Sequence, residues 1–264
     1  MQFIDTHAHL DGEEFADDRA QVMARAKEAG AIKVLIPAID VSSCHTVLNT
    51  CRQLPDFAFP MLGLHPEEVK ENWQSQLDDI WLVLSQPEVL PSVVAIGEVG
   101  IDYYWSREFE QQQIEAFERQ VQWAVQLQLP LMIHCRKGQQ QVVSILKRYK
   151  DQLSGGVFHC FTGNANEAAE LLQFDNFVLG IGGVLTFKKS HLPEVLASTV
   201  PLDRVVLETD APYMAPVPMR GKRNESAFVT HVITKMAESY NLTEEEIATQ
   251  TTLNAYRIFP KLPH

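Results

Sequence analysis

Apolar residues in this chain come in two rhythms. Short continuous runs rich in Val, Ile, Leu and Phe occupy positions 3–4, 33–36, 58–64, 93–96, 131–133, 156–158, 177–179 and 204–207. Between them lie stretches such as 17–29, 43–53, 108–128, 138–149, 165–173 and 190–199, where apolar residues return every three or four positions. The first rhythm predicts strands buried on both faces; the second predicts amphipathic helices. Eight strands alternating with helices require a parallel sheet joined by crossovers.

Burial on both faces suits a closed barrel or an open doubly wound sheet equally well. Chemistry separates them, because polar residues follow the apolar run immediately at 134, 159 and 208–210, as they do at the carboxyl ends of barrel strands. An open sheet gathers its ligands at one switch point instead. The expected fold is therefore α/β, a single (β/α)8 TIM-type barrel over residues 1–264. The tail from 226 to 258 reads as two closing helices, the second opened by a capping box between Thr243 and Glu246.

Composition adds compartment and exclusions. With 45% hydrophobic and 21% charged residues, the chain has the profile of a soluble globular protein with a sizeable core. No apolar run reaches the roughly 18 residues of a membrane span, so no membrane association is expected. The four cysteines, at 44, 51, 135 and 160, form no CxxC pair and suit a reducing cytoplasm. A formal net charge of −12 excludes whole-surface affinity for phosphates, although a local site is compatible with it. No obligate protein partner is expected.

Five of the nine histidines, His7, His9, His65, His134 and His159, stand at the end of a candidate strand. Two imidazoles at i and i+2 in extended chain point to one side, so His7 and His9 can share a metal. Asp5 sits two residues earlier. Glu98, His134, His159 and Asp210 join the pair at other strand ends, and imidazoles mixed with carboxylates suit Zn, Mn or Mg ions. Six candidate ligands exceed what one tetrahedral ion needs, so two divalent ions bridged by Glu98 account for them better.

The segments FIDTHAHLD at 3–11, GLHP at 63–66, AIGEVGIDYY at 95–104, MIHCR at 132–136, FHCFTG at 158–163 and LETDAPYMAP at 207–216 together resemble the TatD family of metal-dependent deoxyribonucleases, within the amidohydrolase superfamily. The resemblance runs in family order over nearly the whole chain. It implies a TIM-type barrel, a two-metal centre and Mg- or Mn-supported DNA hydrolysis, often from the 3′ end. It carries the metal positions onto His7, His9, Glu98, His134, His159 and Asp210. The loop 220–225 also matches, although Ser226 stands where the family commonly has proline.

Besides its metal position, Asp210 is the expected proton acceptor beside the catalytic Glu98. His65, Arg136, Arg223 and, less favoured, Lys222 are candidates for holding a phosphate. Glu208 is expected to orient a histidine or arginine. Tyr103, Tyr104 and Trp105 either stack on the bases of a single strand or pack beneath a lid. Cys135 and Cys160, each next to a candidate ligand histidine, are expected to point away from the metals as buried filler. Gly180, Gly182 and Gly183 read as a tight loop.

Three functions compete: a nuclease acting on DNA that is single-stranded or has free ends, a small-molecule phosphoesterase, lactonase or amidohydrolase, and a non-catalytic metal-stabilised binding protein. A wide basic rim favours the first, a closed apolar pocket the second, and coordinatively closed metals the third.

Overall fold

A computed structural model describes residues 1–264. Eight parallel strands follow one another around the sheet in chain order: β1 Phe3–Asp5, β2 Ala31–Pro37, β3 Ala58–Leu62, β4 Ala95–Asp102, β5 Leu131–Arg136, β6 Gly156–Phe158, β7 Phe177–Ile181 and β8 Val205–Leu207. The seam between β8 and β1 is stitched just past the strands. Thr6 N donates to the Leu207 carbonyl (2.9 Å), Asp210 N donates to the His7 carbonyl (2.9 Å), and Ala8 bridges Ala211. The result is the nearly closed (β/α)8 barrel that the alternation predicted.

Helices α1 Arg19–Ala29, α2 Val41–Gln53, α3 Trp73–Leu84, α4 Glu110–Leu127, α5 Gln139–Tyr149, α6 Ala165–Leu171 and α7 Leu192–Thr199 fill the crossovers, and α8 Val229–Tyr240 and α9 Glu244–Ile258 close the tail. The capping box at Thr243 and Glu246 is present, and Asp40–Ser43 and Asn164–Glu167 start α2 and α6 in the same way. Each box satisfies amide groups that a helix start leaves without partners. No helix is long and apolar enough to cross a membrane.

The strands divide the core in two. Ile4, Leu35, Met61, Ala95, Met132, Val157, Val178 and Val206, one from each strand, pack together inside the barrel over a floor of Ala255, Ile258, Phe259 and Leu262. Their neighbours along the strands, such as Phe3, Ile36, Leu62, Ile133 and Leu179, turn outward against the helices. This period-two division explains the unbroken apolar runs, since both faces are buried. Each larger side chain in either layer contributes about 1.5–3 kcal/mol through burial.

Candidate metal centre

The interior layer changes chemistry two residues further along. Met132 gives way to His134 on β5, Val157 to His159 past β6, and Val206 to Glu208 and then Asp210 past β8. Glu98 arrives by another route, in mid-strand rather than at a strand end. On β4 Ala95 faces inward while Ile96, Val99 and Ile101 all pack outward, and the pairing with β5 shifts register between Ile96 and Val99. One extra residue is therefore absorbed at Gly97–Glu98, which turns Glu98 into the barrel as bulges do.

Glu98 is 2% exposed and its two oxygens face different partners. Oε2 lies 3.2 Å from His7 Nε2 and 3.5 Å from His9 Nε2. Asp210 Oδ1 joins this half, 3.8 Å from His7 Nε2 and 3.6 Å from His9 Nε2, and the two Nε2 atoms are 3.3 Å apart. Oε1 faces His134 Nδ1 at 3.0 Å, His65 Nε2 at 3.4 Å and His159 Nε2 at 3.7 Å. A tetrahedral ion with bonds of about 2.0–2.2 Å separates its ligand atoms by about 3.4 Å, and an octahedral one by about 3.0 Å. The spacing and donor types in both halves fit divalent metal ions.

Carboxylates behind the histidines fix their rings. His134 Nε2 meets Asp102 Oδ2 at 2.8 Å, leaving Nδ1 toward Glu98, and His159 Nδ1 lies 3.1 Å from Glu208 Oε1, leaving Nε2 toward the centre. Asp102 was absent from the sequence-based candidates. Its place four residues after Glu98, on the same face of an extended strand, was the available signal. Glu208 occupies the space beside Gly180, where a Cβ would collide with its carboxylate. This explains Gly180 better than a tight loop does. Asp5 meets His7 only through its backbone, accepting from His7 N at 3.3 Å, and does not join the imidazoles. It accepts from Thr209 Oγ1 (2.7 Å) and Thr209 N (3.0 Å), holding the seam, and burial lifts its carboxyl to about 7.

Charge is redistributed to match. Burial opposes ionisation of Glu98, but the imidazoles of His7, His65 and His159 and the hydrogen bond with His134 hold its carboxyl well below the ordinary range. Burial also opposes charge on His134 and His159. Asp102 and Glu98 nevertheless lift the first to about 9, and Glu208 and Glu98 lift the second to about 10. His7 moves the other way, lowered by burial and by the neighbouring His159, whose ring stacks on it at 3.6 Å. Asp210, half-buried and surrounded by His9, His159 and His7, stays below the ordinary carboxylate range.

The other expected residues separate. Arg136 ends β5 beside the centre, its guanidinium 3.5 Å from the centroid of the Tyr104 ring. Arg223 is held by Asp18 (2.6 Å), by the Glu14 carbonyl and by the face of Phe15, so its charge is already matched. Lys222 is exposed. Cys160 follows the end of β6 with a φ of 48°, half-buried, and its Sγ clusters with a His159 ring nitrogen and a Glu208 oxygen. Strand alternation does not extend past a left-handed residue. Its thiol is pushed well above the usual range by burial and by Asp210, Glu208 and Glu98, which leaves it an unreactive neighbour. Asn224, fully buried, donates to the carbonyls of Thr209 (2.8 Å) and Tyr213 (2.7 Å) and fixes the loop that follows Asp210.

Comparison with known proteins places this geometry. The family described as TatD related DNase matches residues 4–260. An uncharacterized metal-dependent hydrolase of Bacillus subtilis, YabD, is 38% identical over 97% of this chain and 98% of its own length. A protein of Erwinia tasmaniensis named 3′-5′ ssDNA/RNA exonuclease TatD is 34% identical over 97% of this chain and 99% of its own. The crystal structure of the TatD homolog YjjV from Escherichia coli superposes with a TM-score of 0.89 at 30% identity, covering 98% of each chain. A phosphotriesterase homology protein from the same organism shares the fold at a TM-score of 0.65 and 16% identity. Matched over nearly its whole length, the chain belongs to the TatD family of metal-dependent hydrolases.

Proposed function

We propose that residues 1–264 act as one barrel domain that hydrolyses phosphodiester bonds of DNA, working inward from a free 3′ end on single-stranded substrate. The observation that carries this reading is the division of Glu98, with one oxygen toward His7 and His9 and the other toward His134, His65 and His159. A carboxylate shared in this way suits two divalent ions, one held by His7, His9 and Asp210 and one by His134 and His159. Such ions, Mg, Mn or Zn, supply Lewis acidity toward a phosphoryl oxygen and lower the pKa of water.

The chain's own groups do the rest. Asp210 is ionised and its side chain is 18% exposed, so it can accept the proton of the attacking water. Asp102 and Glu208 keep the lone pairs of His134 and His159 aimed at the centre. His65, 12% exposed beside Glu98, and Arg136 at the rim offer donors to a phosphate. Arg223 contributes less, being matched to Asp18. The exonuclease name of the Erwinia relative supports a nucleic-acid substrate. Four free cysteines suit a reducing cytoplasm, and the reading invokes no obligate protein partner.

The test is metal-stripped protein reloaded with Mg²⁺, Mn²⁺ or Zn²⁺ and offered end-labelled single strands, duplex, closed circles, RNA and simple phosphodiesters. Progressive shortening of single strands from the 3′ end is expected, with a shallow salt dependence that reflects few phosphate contacts. Rapid linearisation of circles rules out the end preference. Turnover of a small ester with no cleavage of nucleic acid replaces this reading with a small-molecule hydrolase.

A further inference from the structure

A cleft of about 550 Å³ opens beside the metal centre, reaching from His159 to Arg136, Lys137, Arg107 and Tyr104. Its size lies within the roughly 300–1,000 Å³ of sites that enclose small ligands. Glu167, also in its wall, is engaged in capping α6, where its carboxylate accepts from Asn164 N at 2.7 Å. Arg107 is matched by Glu110 at 3.4 Å, which on a chain of net charge −12 leaves Arg136 and Lys137 as two unpaired cations at one cleft of the catalytic end.

The wall is anchored to the metal centre. Tyr104 N donates to Asp102 Oδ1 (2.7 Å) while the other oxygen of Asp102 holds His134, and Tyr103 N donates to the Arg136 carbonyl (2.9 Å). Arg136 lies over Tyr104 and 5.6 Å from the centroid of the Trp105 ring, with aromatic faces rather than a carboxylate as its partners. Lys137 Nζ sits 4.9 Å from the Tyr104 centroid. Tyr104 and Trp105 meet edge to face at 4.8 Å, and Trp105 is 70% exposed, whereas Trp73 and Trp123 are buried. An indole projecting into water beside unmatched cations offers a stacking face, which packing beneath a lid does not explain.

We propose that this cleft is a nucleotide subsite, with Arg136 and Lys137 taking a phosphate next to the one at the metal centre and Trp105 stacking on the attached base. The proposal rests on the nuclease reading and adds the element that selects single strands. A base in a duplex has both faces covered by its neighbours, so only an unpaired base can lie on Trp105. Arg136 serves both ends of the contact, since its guanidinium pairs with phosphate oxygens while its plane stacks on the aromatic pair.

Binding of a fluorescein-labelled oligothymidylate, followed by anisotropy in EDTA, tests this without turnover. Trp105→Ala is expected to weaken binding about tenfold, within the range for loss of one stacked base, and Trp105→Phe to restore most of it. The same change should leave binding of a strand of abasic residues unaltered. With metal, KM for the oligonucleotide should rise while kcat and the hydrolysis of bis(4-nitrophenyl) phosphate stay at wild-type values. Arg136→Ala should flatten the salt dependence of binding. Unchanged affinity in Trp105→Ala, or an equal loss on the abasic strand, overturns the subsite. A wild-type protein that neither binds nor cuts any oligonucleotide overturns the nuclease reading and the subsite together.

Discussion

At the amino end of the barrel, Met132, Val157 and Val206 meet one another over Phe259 and Leu262; two residues along the same strands, His134, His159 and Glu208 face the same interior. The two layers share the barrel interior and differ in chemistry and in access: the lower is sealed, while the upper opens to water at His134 and Asp210. In the lower layer every neighbour is apolar, so each side chain adds to stability and none has a specific partner to satisfy. In the upper layer burial opposes every charge, and each survives through an opposite charge or hydrogen bond a few ångströms away. The lower layer holds the barrel shut, and the upper layer depends on that rigidity to keep its ligand atoms in place.

Changing one layer should leave the property carried by the other nearly untouched. The largest effect belongs to the upper layer: Glu98→Gln should lower kcat about a thousandfold or more, because it removes the charge shared by both halves of the centre. Steady-state kinetics at saturating metal check this, and near wild-type turnover in a normally folded variant would remove Glu98 from its assigned role. Phe259→Ala, in the lower layer, should cost about 3–5 kcal/mol in denaturant unfolding while kcat per folded molecule stays constant. An unmoved unfolding midpoint would show that the floor of the barrel is not anchored there.

Smaller effects sharpen the boundary between the layers. Glu208→Gln and Asp102→Asn should each weaken metal binding about 10–100-fold by calorimetry, since they loosen His159 and His134 without removing a ligand. In the metal-free protein these two imidazoles hold protons up to about 10 and about 9, so a metal must displace them. Metal affinity should therefore rise with pH up to about pH 10, and a flat profile would contradict the assigned ligands. The smallest effect is expected for Arg223→Ala. Its pair with Asp18 is solvent-exposed, so the melting temperature should barely move and single-strand binding should fall much less than in Arg136→Ala.

The difference in chemistry also governs what could be read from sequence. The lower layer and its outward-facing neighbours write themselves as eight unbroken apolar runs, and the barrel followed from these together with the polar residues after 133, 158 and 207. Most of the centre was legible for the same reason, since His7, His9, His159 and Asp210 lie just past strand ends that all face one way and His134 lies in the last half of β5. Three features were hidden. The shift that turns Glu98 inward exists only in the pairing of β4 with β5. Asp102 resembles any aspartate after a strand until His134 is seen against it. Arg223 shows its charge in the sequence, but Asp18, which neutralises it, lies on the far side of 205 residues. Pairing across the chain decides each of these, and local pattern carries no record of it.

The seam between the last strand and the first bears on how the enzyme is made. Thr6 bonds to Leu207 across 201 residues of chain, and Asp210 reaches His7 just beyond. Synthesis delivers His7 and His9 first and Asp210 after four-fifths of the sequence has been made. A ribosome-bound or prematurely terminated chain that stops short of β8 has an open barrel and lacks Asp210 from one half of the centre and Glu208 from behind His159. The hydrolytic centre is thus completed only once β8 and Asp210 have been made, so topology ties its assembly to the last fifth of the chain.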